Sequence, residues 1–248
     1  PLTDYSLTPT VAIVDPALTM SLPASITADT GMDVLTHATE AYVSTLASDF
    51  TDGLALQAIK MVFEYLPRAV ANGKNDPEAR EKMHNAATLA GMAFAHAFLG
   101  MNHSLAHKIG AEFHVPHGRA NAILLPYVIR YNGTKPEKSG VWPKYNYYKA
   151  DEKYAELARL IGLKFNTVEE GVVAYAKACA DLGADCGIKM SFKEQGLDAK
   201  AWDAAKEKIA YLAYEDQCSP ANPRVPMVND MIDILRASYE GDTSYYTK

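Results

Sequence analysis

The stretch "SITADTGMDVLTHATEAYVSTLAS", residues 25–48, decides the fold. Its apolar residues recur at three-and-four spacing, the period of an amphipathic helix, with Thr and Asp near the start as candidate caps. The same pattern recurs on both sides of the histidine-rich segment that follows it. "DGLALQAIKMVFEYLPRAV" (52–70) reads as a second helix and "DPEAREKMHNAATLAGMAFAHAFLG" (76–100) as a third. Asp76 suits the N-cap of the third and Pro77 its first turn. Beyond residue 118 come "GRANAILLPYVIRYN" (118–132), "DEKYAELARLIG" (151–162), "TVEEGVVAYAKACADLG" (167–183), "DAKAWDAAKEKIAYLAYED" (198–216) and "VNDMIDILRASYEG" (228–241). About eight helices predict a mainly α, multi-helix domain over residues 24–248.

One strand is expected. The opening "PLTDYSLTPTVAIVDP" ends in a β-branched run, Val11 to Val14, closed by Asp15-Pro16. A lone strand cannot satisfy its own backbone, so residues 1–23 read as the remnant and connection of a sheet domain missing from this sequence.

Composition limits the function classes. The chain has 248 residues, 48% hydrophobic and 22% charged, with net charge −6. Those are values of an ordinary globular protein. No basic run suggests nucleic acid or an anionic membrane as partner. No apolar run reaches the roughly 18–20 residues that span a bilayer. Three cysteines, Cys179, Cys186 and Cys218, with no C-x-x-C pair, read as free thiols in a reducing cytoplasm, although a Cys179–Cys186 bridge is open.

The chemistry concentrates in "MNHSLAHKIGAEFHVPHG" (101–118), which holds four of the seven histidines. Asp33 and His37 stand four apart on one helix, as do His103 and His107 on another, so each pair shares a face. Two imidazoles at that spacing can be aimed at one ion. On a continuous helix His117 would lie roughly 21 Å along the axis from His103. Pro116 must break such a helix, and Pro116-His117-Gly118 reads as a tight connection that returns His117 towards His103 and His107. One carboxylate with two or three imidazoles suits Zn²⁺ or Fe²⁺. The open alternative is a helical scaffold with buried polar contacts. His84 reads as solvated, His96 as a core histidine, and His114 as a polar residue near a helix end.

"TGMDVLTHATEAY" (30–42) together with "HSLAHKIGAEFHVPHGRANA" (103–122) resembles the iron-containing alcohol dehydrogenases. The tail "DQCSPANPRVP" (216–226) and "GVWPKYNYYKADEKYAELAR" (140–159) are similar to the C-terminal alcohol dehydrogenase region of bifunctional aldehyde–alcohol dehydrogenases. Those are cytoplasmic, fermentative proteins that reduce acetyl-CoA to ethanol in two NADH-dependent steps. The resemblance implies Asp33, His37, His103 and His117 as metal ligands for Fe²⁺, with Zn²⁺ admissible. It implies His107 beside the nicotinamide of NAD(H), as a candidate proton relay or orienting group, and Phe94 in the wall of a small alcohol or aldehyde pocket.

The resemblance also implies a separate nucleotide-binding α/β domain with a glycine-rich loop. Neither G-x-G-x-x-G nor a Walker-type pattern occurs here, so the chain alone is expected to be weak or inactive. A helical phosphohydrolase would need an adjacent His-Asp pair, which is absent. A non-catalytic assembly module of a larger enzyme is the remaining alternative, with Trp142 to Tyr148 as a contact in a homo-oligomer.

Overall fold

The computed structural model describes residues 4–136 and 148–248. Among them, regular structure is helical: α1 (Ala24–Val43), α2 (Asp49–Asn72), α3 (Pro77–Ala97), α4 (Met101–Phe113), α5 (His117–Gly133), α6 (Ala150–Leu160), α7 (Val168–Asp185), α8 (Ala199–Tyr214), α9 (Val228–Glu240) and a last short turn, α10 (Ser244–Thr247). No described helix is long and apolar enough to cross a membrane.

Helices α1, α2 and α3 pack on one another, and α5 lies against α1, α4 and α7. The composition of α5 explains its central place. From Ala120 to Ile129 every side chain is buried, and a helix apolar on all sides must be covered on all sides. Helix α8 packs on α4, held by Trp202, whose ring stacks at 5.3 Å on Phe113, 4.8 Å on Phe192 and 5.2 Å on Tyr239. Such aromatic groups contribute both buried area and ring–ring attraction.

The helix ends follow capping chemistry more than periodicity. Asp76 caps α3 by accepting from the Ala79 N–H at 3.0 Å, with Pro77 first in the helix, as the sequence predicts. The stretch 25–48 does not stay helical throughout. Ser48 and Thr51 form a reciprocal capping box that starts α2, so α1 ends at Val43. The expected Thr and Asp caps of α1 lie inside it. Pro23 is the N-cap, and Thr27 instead accepts from buried Arg80 at 2.7 Å.

Val11–Val14 forms no strand. No strand exists among the described residues to pair with it, and Val11 and Ile13 stand 74% and 83% exposed. Of the aromatic stretch expected at an oligomer contact, residues 142–147 lie outside the described residues. All three cysteines are buried and free.

Candidate metal centre

Helix α1 supplies Asp33 and His37, α4 supplies His103, and α5 supplies His117. The break between α4 and α5 works as the proline predicts. His114 takes the left-handed conformation (φ 56°) that caps α4, Val115 is buried, and Pro116 begins α5 with an extended ψ of 133°. His103 and His117 therefore meet, with ring centroids 5.2 Å apart.

One glycine makes the meeting possible. A Cβ on Gly118 would lie 2.1 Å from the Asp29 carbonyl oxygen and 3.2 Å from the Asp33 Cβ. The first turn of α5 therefore rests directly on α1, beside Asp33. Arg119 clamps the same crossing, with Nε and Nη2 donating to the two oxygens of Asp29 at 3.0 and 2.9 Å. Gly118→Ala must push helix against helix, because the obstacle is backbone. It should cost roughly 1–3 kcal/mol, read as a lowered Tm, and weaken divalent-metal binding by drawing His117 from Asp33.

Four donor atoms, one each from Asp33, His37, His103 and His117, all lie within 4.8 Å of one another. The Asp33 Oδ1 is 4.0 Å from His37 Nδ1, 3.5 Å from His103 Nε2 and 3.6 Å from His117 Nε2. The Asn121 Nδ2 donates to Asp33 Oδ1 at 2.6 Å and lies 3.1 Å from Nε2 of both His103 and His117. Its carboxamide is fixed from behind, since Asn102 Nδ2 donates to Asn121 Oδ1 at 2.9 Å. Once His103 gives up the proton on Nε2, three acceptors crowd one NH₂ that has only two hydrogens. Lone pairs converging in this way fit a cation, and one carboxylate with three imidazoles is a donor set for Fe²⁺ or Zn²⁺.

Glu40 stands behind His103. It is buried, and its Oε2 lies 2.5 Å from His103 Nδ1 while its Oε1 accepts from the Asn102 N–H at 2.7 Å. The first contact turns His103 Nε2 towards Asp33; the second satisfies an orphan N–H in the first turn of α4. Gly100 admits this contact, since a Cβ there would lie 3.0 Å from Glu40 Oε1.

The charges fit this arrangement. Burial opposes ionisation of Asp33, but the hydrogen bond from His103 and the nearby imidazoles hold its carboxyl well below the usual range. Burial, with His103 beside it, lowers His37 to about 3, so its ring is neutral. Burial also lowers His117, outweighing the pull of Asp33. Burial alone would lower His103, yet Glu40 and Asp33 raise it to about 9. A cation must displace that proton. Divalent-metal affinity should therefore rise with pH up to about 9 and then level off, as a titration at several pH values would read.

His107 lies one turn along α4 from His103, its ring stacked on His117 at 5.4 Å and edge-on to His103 at 5.9 Å. Phe94, on α3, stacks on His37 at 4.5 Å. The six residues singled out from the sequence are thus brought together. The other histidines are not part of the group. His96 is exposed rather than in the core, because it turns away from the apolar face of α3. His84 is half-buried beside a small cavity rather than solvated, and His114 is the exposed α4 cap.

Sequence reading missed Glu40, Asn121 and Asp216. Two of them carried a signal: Glu40 stands seven residues after Asp33 on the same helical face, and Asn121 four after His117. Asp216, which lies 3.2 Å from His107 Nδ1, reaches the site from more than one hundred positions away and carried none.

Comparisons with known proteins identify the relatives of the chain. The pattern of the Fe-containing alcohol dehydrogenase family, C-terminal part, matches residues 27–239. The chain is 66% identical over 241 residues to the aldehyde-alcohol dehydrogenase of Streptococcus pneumoniae serotype 4, covering 97% of this chain and 27% of that protein. It is 46% identical over 247 residues to the bifunctional aldehyde-alcohol dehydrogenase of Escherichia coli K12, again 97% of this chain and 27% of the relative. The chain therefore spans about a quarter of the length of these relatives. The solved iron-containing alcohol dehydrogenase of Thermococcus thioreducens superposes with a TM-score of 0.83 at 32% identity, over 96% of this chain and 57% of that one. With the family pattern running from α1 to α9 and relatives this similar over nearly every residue, the chain belongs to the Fe-containing alcohol dehydrogenase family.

Proposed function

We propose that this chain is the metal-binding half of a dehydrogenase that interconverts a short primary alcohol, with ethanol the first candidate, and its aldehyde, using NAD(H). Asp33, His37, His103 and His117 would hold Fe²⁺, with Zn²⁺ chemically admissible. The convergence of these four donor groups from three helices carries the reading. A bound divalent ion would act as a Lewis acid at the substrate oxygen, while the nicotinamide carries the hydride.

The residues of the chain supply the rest. Asp33 brings one negative charge and the imidazoles none, so the loaded centre keeps a net positive charge that favours an oxyanion. Phe94 would cover the pocket beside His37 and exclude water from the reacting carbon. His107 would pass the proton between the substrate side and solvent, from a half-buried position one turn from His103. The nucleotide-binding half would come from another part of a longer protein, with residues 1–23 as remnant and connection. The exposed apolar run at Val11–Val14 fits that boundary. A homo-oligomer in a reducing cytoplasm completes the proposal, and the free buried thiols fit such a compartment.

The test measures bound metal and NADH-dependent aldehyde reduction in this chain and in the protein carrying both halves. Metal in both, with activity only in the longer protein, is expected. A longer protein that reduces aldehydes at full rate after complete metal removal would refute the reading.

A further inference from the structure

Asp216 opens the loop that follows α8 and is almost fully buried, its side chain only 2% exposed. Four polar groups surround its two oxygens. Oδ2 accepts from the Lys108 ammonium at 2.7 Å and lies 3.2 Å from His107 Nδ1. Oδ1 accepts from the Cys218 N–H at 3.0 Å and lies 3.5 Å from the Ser104 hydroxyl, whose one hydrogen also has the Gly100 carbonyl at 3.2 Å. With Lys108 and His107 at one oxygen and the Cys218 N–H at the other, the carboxylate cannot turn without breaking a bond.

The loop that carries it is fixed as well. Ser219 Oγ donates to the Ala213 carbonyl at 2.6 Å and lies 3.0 Å from Ser104 Oγ. Asn222 Oδ1 accepts from the Met101 N–H at 3.1 Å and from Asn132 at 3.1 Å. The carboxylate is therefore tied to α4 from both ends of its loop.

Burial alone would disfavour the charge on Asp216, but His107, Lys108 and the Cys218 N–H hold its carboxyl well below the usual range. An ionised carboxylate only accepts, so the hydrogen in its bond to His107 must sit on Nδ1. We propose that Asp216 is a positioning residue that fixes His107 as the Nδ1–H tautomer, leaving the Nε2 lone pair to take the proton during the reaction. This rests on the reading of His107 as relay. The logic is that of any imidazole base oriented by a buried acid through its other nitrogen.

His107, Asp216 and Cys218 also lie close enough to suggest a second cation site. The geometry argues against it. The Lys108 ammonium already occupies Oδ2, and burial raises the Cys218 thiol far above its ordinary value, away from the thiolate a metal needs.

The tautomer can be read directly. Long-range ¹H–¹⁵N correlation on ¹⁵N-histidine-labelled, zinc-loaded chain should show His107 protonated at Nδ1 and bare at Nε2. Asp216→Asn, whose amide can donate as well as accept, should shift His107 to Nε2–H or to a mixture. In the protein carrying both halves, the same substitution should lower kcat on the order of tenfold or more, with KM for the alcohol nearly unchanged. Lys108→Met leaves Asp216 in place and should retain the Nδ1–H form, which keeps the test decisive should Asp216→Asn fail to fold.

A wild-type His107 found as Nε2–H would overturn the proposal. So would an unchanged tautomer in folded Asp216→Asn, or a second equivalent of zinc bound at this cluster. Full turnover in His107→Ala with the Nδ1–H form intact in the wild type would sink the relay reading and leave the positioning by Asp216 standing.

Discussion

His103→Ala should leave a chain that no longer retains a divalent ion, whereas His107→Ala should retain it and lose turnover. The two residues are one helical turn apart and both face the same group of rings, so residue type does not separate them. Their partners do. His103 is buried, held through Nδ1 by Glu40, and its Nε2 lies 3.5 Å from Asp33. Its removal takes away a donor that lies between the carboxylate and two imidazoles. The loss should exceed the roughly 10–100-fold that removal of an outer-shell partner costs. His107 instead points Nδ1 at Asp216 and is half-buried, outside the four-donor group. Its replacement should lower kcat on the order of 10²-fold or more with metal content unchanged. Metal analysis and steady-state kinetics on both variants of the protein carrying both halves check this. Equal metal content and equal rate would contradict the division of roles.

The second large effect is expected at Glu40. Glu40→Gln keeps an oxygen that can accept from the Asn102 N–H, so α4 should still start where it does. It removes the negative charge beside His103 Nδ1. With a neutral amide there, His103 becomes a weaker donor through Nε2, and its ring is less firmly turned towards Asp33. Metal affinity should fall roughly 10–100-fold while the helical content of the chain stays constant. The pH dependence offers a second check. Glu40 is the leading group that holds His103 up at about 9, so in the variant the rise of affinity with pH should level off at lower pH. Competition titration against a chelator measures both. Wild-type affinity in folded Glu40→Gln would show that Glu40 caps α4 and does nothing for the metal.

Much of this arrangement was legible in the residues, and particular elements show why. The helices were readable because apolar spacing and caps such as Asp76-Pro77 act locally. The return of His117 to His103 was readable because Pro116-His117-Gly118 together read as a tight connection, whereas Pro67 and Pro126, without such neighbours, sit inside α2 and α5. Other features depend on partners distant in the chain. Val11–Val14 has the composition of a strand, but pairing is not a local property, and nothing among the described residues pairs with it. His96 sits in a small, apolar segment, yet the face it occupies was decided by how α3 packs on α1 and α2. Asp216 reaches His107 only because its loop folds against the start of α4, where Asn222 and Ser219 hold it. The split of the histidines into ligands and relay came from family resemblance; spacing alone left His107 as good a ligand as His117.

Diffraction at the absorption edge of the bound metal, on crystals of the loaded protein, tests the central claim most directly. One ion should appear per chain, about 2.0–2.2 Å from a single Asp33 oxygen and one nitrogen each of His37, His103 and His117, with His107 outside the coordination sphere. An ion held instead by His107, Asp216 and Cys218, or no ion among the four donors at full loading, would contradict it.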